Sequence, residues 1–214
     1  MHVETYSDLA LRTAKRFDDP KMTYLHGYLG VFGELGEICD ALKRHHIYGR
    51  PLDLINLGEE IGDLTWYANY MLRELPRVFD DIILGDGIRA RKDRKCVLAM
   101  LFKEMPALLA AALAERGVAA PKLGAYEFIS GAVLVLLELP PPAGYEDSKD
   151  CADHIETGVI SAIALAFRLC EVYGLDYAGL LAKNIDKLQV RYPDLFDSDR
   201  AVHRDEQAER KALE

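Results

Sequence analysis

The chain has little positive charge, no paired cysteines, no long apolar run and few strand-like alternations, and each shortage narrows what it can be. Its 26 lysines and arginines are outnumbered by 35 aspartates and glutamates, a formal net charge of -9. Proteins that track a nucleic-acid backbone gain affinity from counterion release on basic surfaces, so the balance argues against a nucleic-acid polymer as partner. It leaves room for a small anionic ligand, because metal ions invert the local charge of an acidic pocket. The four cysteines, Cys39, Cys96, Cys151 and Cys170, form no CxxC pair and no Cys/His cluster of zinc spacing. They read as reduced thiols in or near the core. No apolar run approaches the ~20 residues that span a bilayer. The start, MHVETYSDLALRTAKRF, lacks the basic-then-apolar order of a signal peptide. The expectation is a soluble, cytoplasmic chain with no membrane partner.

What is present is helical periodicity. The 214 residues, half of them apolar, suffice for one substantial domain. Ser7 is suited to cap a first helix through about Arg16, stopped near Asp18-Asp19-Pro20. A second helix is expected from about Met22 to His46, before the breaker Tyr48-Gly49-Arg50-Pro51. A third starts near Asp53 and stops at Pro76. A fourth is expected over roughly 95–116, interrupted at Pro106. The apolar segment Ala125–Leu139 is too long and too unalternating for a strand and reads as a buried helix. Others follow over about Asp150 to Tyr173, turning at Gly174, and about Tyr177 to Arg191, closed by Pro193. The charge-rich tail, 197–214, reads as a solvated or frayed helix. The basic run Arg89–Lys95 reads as a solvated helix start, with a phosphate-facing arm as the alternative.

Within this helical frame, carboxylates recur at a spacing that matters. Residues three apart share a helix face, so Glu34 neighbours Glu37 and Glu60 neighbours Asp63. Either pair alone is unremarkable. Two such pairs on consecutive helices, flanked by Val31, Phe32, Leu35 and Ile38 and by Ile61, Leu64 and Trp66, are more telling. Like charges meeting in a helical core repel unless something cationic lies between them. Hard divalent cations such as Mg²⁺ favour this kind of oxygen donor set, completed by water and substrate phosphates. Gly33, Gly36 and Gly62 beside the acids suggest close helix approach or room for a ligand. A di-iron bundle would need Glu-x-x-His elements, and the chain has none.

The stretch GELGEICDALKRHHIYGRPLDLINLGEEIGDLTWYANYM resembles the MazG-like, all-α nucleoside triphosphate pyrophosphohydrolases, a family related to the all-α dUTPases and dCTPases. Their signature ExxE…ExxD reads here Glu34-Leu-Gly-Glu37, 22 residues, then Glu60-Ile-Gly-Asp63. The ending KNIDKLQVRYPDLF resembles the family's last helix. The resemblance covers roughly Tyr24–Leu72 and Arg168–Phe196. It implies Mg²⁺-dependent hydrolysis of a (d)NTP between the α and β phosphates, to nucleoside monophosphate and pyrophosphate, with Mn²⁺ able to substitute. Carried over by position, Glu34, Glu37, Glu60 and Asp63 would hold the metal and act in catalysis. One of them, or Glu59, would take the proton of the attacking water. Tyr67 would lie beside the nucleoside. Lys183, Asn184, Lys187 and Arg191 would grip the phosphates, with Lys43 and Arg50 as weaker candidates and His26 and His46 weaker still.

Ordinary members of that family join the ExxD helix almost directly to the final helix, whereas about a hundred residues intervene here. An internal duplication accounts for them. Gly30…Glu37 aligns with Gly131…Glu138, and Glu60-Ile-Gly-Asp63 with Glu156-Thr-Gly-Val159. Glu34 then meets Val135 and Asp63 meets Val159, neither able to bind a metal. The expected organisation is one MazG-like all-α helical bundle, 1–196. Its first copy, 24–75, carries the site, and a degenerate second copy, 95–196, includes the final helix. A homodimer is compatible with this. The alternative, from a different functional class, is a nucleotide or alarmone sensor that binds on the same scaffold without turnover.

Overall fold

The computed structural model describes residues 3–74, 83–84, 88–89, 125–146 and 148–214. Within them the fold is all-α, as the periodicity implies. The helices are α1 (Val3–Leu11), α2 (Pro20–His46), α3 (Leu54–Glu74), α4 (Ala125–Glu138), α5 (Lys149–Tyr173), α6 (Tyr177–Arg191), α7 (Ser198–Val202) and α8 (Glu206–Leu213). A two-residue antiparallel ladder joins β1 (Ile83–Leu84) to β2 (Ile88–Arg89).

Local chemistry sets most of these bounds. Asp19 caps α2, its carboxylate accepting from the Lys21 amide at 2.9 Å, and Pro20 occupies the first turn where its missing N–H costs nothing. Asp53 caps α3 by accepting from the amides of Ile55 and Asn56, both at 3.1 Å. Ser148 caps α5, and Gly174 closes it at φ 67°, a left-handed conformation that an L side chain resists.

The helices α2 and α3 form a hairpin, α4 and α5 a second one, and the two pack with α3 on α5 and α2 on α4. Leu35, Ile38, Leu57, Ile61, Leu64, Ile155, Val159 and Ile163 fill the space between them. Each such side chain contributes roughly 1.5–3 kcal/mol when fully buried. α6 lies across α3 and α1, and α8 folds back onto α6.

In the alignment of the supposed repeats, α2 corresponds to α4 and α3 to α5. Gly30 and Gly131, paired in it, both lack room for a Cβ against the following helix. At Gly30 the Tyr67 ring fills the space, and at Gly131 a Cβ would meet Leu165 Cδ1 at 2.9 Å. Val135 and Val159, at the positions of Glu34 and Asp63, are buried in the core.

Three expectations change. The first helix begins before Ser7 and ends at Leu11, because Ser7 is not a cap. Its buried hydroxyl donates to Asn69 Oδ1 at 2.9 Å and accepts from Arg73 Nη1 at 3.1 Å. The tail is helical and mostly exposed but not wholly solvated: Glu209 and Leu213 are buried against the bundle. Of the three glycines beside the acids, only Gly62 has a close neighbour, a Cβ there falling 3.0 Å from Asn184 Nδ2, while Gly33 and Gly36 meet nothing among the described residues. The helix expected over 95–116 and most of the basic run Arg89–Lys95 lie outside those residues, Arg89 ending β2. Cys151 and Cys170 are buried free thiols and Cys39 is half-buried. Among the described residues no single helix is long and apolar enough to cross a membrane. α5 and α6 together pass that test by length and composition but meet at 111°.

Candidate functional site

Glu34 comes from α2, and Glu60 and Asp63 come from successive turns of α3. Val31, Leu35 and Ile38 hold the α2 face down, and Ile61 and Leu64 anchor α3. The rigid hairpin thus directs three carboxylates at one point, where one oxygen from each lies within 4.8 Å of the others. All three are half-buried.

Bringing them together costs electrostatic energy, visible in their acidities. Burial raises the Glu34 carboxyl far above the ordinary range, and the Asp63 charge and a hydrogen bond with Glu60 raise it further. Burial also raises Glu60, with Asp63 and Glu59 adding to the effect while the bond from Glu34 opposes it. Both shifts favour a state in which one proton is shared between Glu34 and Glu60.

Asp63 is stabilised differently. Asn184 Nδ2 donates to its Oδ1 at 2.7 Å and Lys187 Nζ to its Oδ2 at 2.5 Å. Lys187 also reaches Glu59 Oε1 at 3.2 Å, and its side chain is 0% exposed. Asn184 accepts in turn from the buried Tyr6 hydroxyl at 3.3 Å. A lysine buried this completely is held as a cation by its carboxylates, since burial alone would favour the neutral amine and the Asp63 and Glu59 charges outweigh it.

The other expected site residues divide. Tyr67 lies in the cavity with Glu34 and Asp63, its hydroxyl pushed up to about 12 by burial and by those two carboxylates. Glu37 stands apart, exposed on α2, in a second depression of about 630 Å³ that also holds Lys43 and Arg50. Lys187 faces the carboxylates as an internal counter-ion instead of an exposed phosphate grip. Lys183 Nζ donates to the Leu213 carbonyl at 2.7 Å, and Arg191 forks onto the Glu209 carboxylate. His46 meets the Tyr173 hydroxyl at 3.2 Å.

The triad opens into a cavity of about 570 Å³ whose lining includes both Glu34 and Asp63. Its wall is aromatic, from Phe17, His26, Trp66, Tyr67, Tyr192 and Phe196, and its rim carries Lys15, Arg191 and Arg204. His26 sits edge-on to Tyr70, Tyr67 and Phe17 with ring centroids 5.0, 5.6 and 5.7 Å away. Its Nδ1 is buried without a hydrogen-bond partner, and burial and the nearby Lys15 hold the ring towards its neutral form. Trp66 is fixed by a 3.1 Å bond from Nε1 to the Ala10 carbonyl.

His26 lines the cavity, and the sequence carries a signal for it: His26, Gly30 and Glu34 are spaced by four, on one face of α2. Phe17, Arg204 and Glu209 carry no local signal, since only the chain's return brings them to the site. Compared with protein-family models, curated proteins and solved structures, the chain matches none. Its class therefore rests on the fold and the site: an all-α protein with a buried-edge carboxylate triad opening into an aromatic cavity.

Proposed function

We propose that the protein is a metal-dependent nucleoside triphosphate pyrophosphohydrolase of the MazG-like kind, cleaving (d)NTPs to nucleoside monophosphate and pyrophosphate. The observation that carries this reading is the convergence of Glu34, Glu60 and Asp63, of which Glu34 and Asp63 line a cavity with an aromatic wall. The donor set fits a hard divalent cation: it is all oxygen and half-buried, and the mutual repulsion of its carboxylates is eased by Lys187 at Asp63 alone. Glu34, Glu60 and Asp63 would hold Mg²⁺, or Mn²⁺ in its place. The bound ion would supply charge neutralisation on the phosphates and acidify a water.

The chain's own residues supply the remainder. Lys187 and Asn184 fix the Asp63 carboxylate so that it does not have to reorganise. Glu59, tied to Lys187 and outside the triad, is the carboxylate we assign to take the proton of the water that attacks in line. Tyr67, Trp66 and His26 form the wall against which a nucleobase ring would stack.

The test is pyrophosphate release from a panel of (d)NTPs with Mg²⁺, for the parent and Glu60→Gln. The reading expects release from at least one nucleotide and its loss in the variant. Release that survives Glu60→Gln unchanged rejects this site. A second reading, nucleotide binding without turnover, draws on the position of Glu37 away from the other three carboxylates. Tight binding of a nucleotide with no release of pyrophosphate would select it.

A further inference from the structure

Of the cations lining the cavity, Arg191 and Arg204 are held by the chain's own helix α8. Glu209 on α8 is 2% exposed, and its carboxylate accepts from Arg191 at 2.9 and 2.5 Å and from Arg204 at 3.2 and 2.7 Å. Two guanidinium forks closing on one carboxylate is the planar, multidentate geometry that also suits a phosphoryl group. Both arginines line the cavity that contains Glu34 and Asp63, and Arg204 Nη2 lies 3.9 Å from Glu59 Oε1. The seat therefore adjoins the carboxylate triad.

The helix that fills the seat is short and depends on its tertiary contacts, packing along α6. α8 has eight residues, fewer than the ~12–15 at which an isolated helix becomes even marginally stable in water. Apart from Glu209, its anchors are the Leu213 side chain, the Lys183 bonds to the Leu213 and Glu214 carbonyls at 2.7 and 3.0 Å, and a surface pair of Arg210 with Asp53 at 2.8 Å. Exposed pairs of that kind contribute little. A polyphosphate brings more than one negative charge to the two guanidiniums, where Glu209 brings one.

We propose that α8 is an internal plug, in which Glu209 stands in for a phosphoryl group at an anion seat made by Arg191 and Arg204, and that a polyphosphate ligand displaces it. This rests on the reading of the adjoining cavity as a phosphate-ester site. The plug is a built-in competitor: it lowers affinity for the anion and keeps the half-buried Arg191 from being unpaired when no ligand is bound.

Hydrogen exchange read by mass spectrometry on the full chain, with and without inorganic pyrophosphate, tests it. The amides of 206–213 are expected to exchange about tenfold faster at saturation, and calorimetry is expected to show pyrophosphate binding Glu209→Gln about tenfold tighter than the parent. Leu213→Ala, which removes a buried anchor of α8 without touching the seat, is expected to tighten binding severalfold and covers the case in which Glu209→Gln does not fold. Protection or unchanged exchange of 206–213 on binding, equal affinity in parent and Leu213→Ala, or no pyrophosphate binding overturns the plug. Release of α8 without nucleotide turnover upholds the plug while removing the hydrolase reading. Turnover with α8 unmoved does the reverse.

Discussion

At the scale of single residues, burial beside Asp63 favours one proton held between Glu34 and Glu60, because two half-buried carboxylates cannot both ionise cheaply there. Both groups have folded pKa values raised above those of the unfolded chain. Their unfavourable contribution is therefore absent below the ordinary carboxyl range and grows as pH rises through it toward the folded values. Glu34→Gln removes one charge, so the metal-free variant should gain about 1 kcal/mol of stability near pH 8 in thermal melts while losing activity at least about 100-fold. Lys187→Met acts oppositely. It leaves Asp63 and Glu59 without their buried cation and should cost about 3–5 kcal/mol in urea denaturation.

At the scale of elements, the closeness of α2 and α3 depends on Gly30, whose face the Tyr67 ring covers. Gly30→Ala forces that ring aside and should destabilise by about 1–3 kcal/mol, with a matching loss of nucleotide affinity measurable by calorimetry. Most helices were legible because their signals are local: Asp19-Pro20 and Asp53 announce starts, Gly174 a stop, and an apolar period of 3.6 fills the spans between. The first helix was misjudged where a local signal had a distant use, Ser7 serving a buried network with Asn69 and Arg73 instead of a cap. Spacing correctly paired Glu60 with Asp63. It did not separate Glu34 from Glu37, which three residues' rotation turns toward solvent. Lys187 and Arg191 read as phosphate grips and Glu209 as part of a solvated tail, because charge alone cannot report that three distant segments converge.

At the scale of the whole molecule, the two helical hairpins share one core and leave the carboxylates on the first, with Val135 and Val159 buried at the corresponding places of the second. The described arrangement concentrates uncompensated acidity at one site. A divalent cation should stabilise the fold there and expel the shared proton, so the rise in Tm on adding Mg²⁺ should be larger at pH 8 than at pH 6. The most direct test of the central claim is titration with Mn²⁺, following the free ion by electron paramagnetic resonance, in the parent and in Glu37→Gln, Glu60→Gln and Asp63→Asn. The account predicts binding by the parent, retention of most of it in Glu37→Gln, and its loss in Glu60→Gln and Asp63→Asn. Binding that is absent from the parent, or that persists undiminished without Glu60 and Asp63, would contradict it.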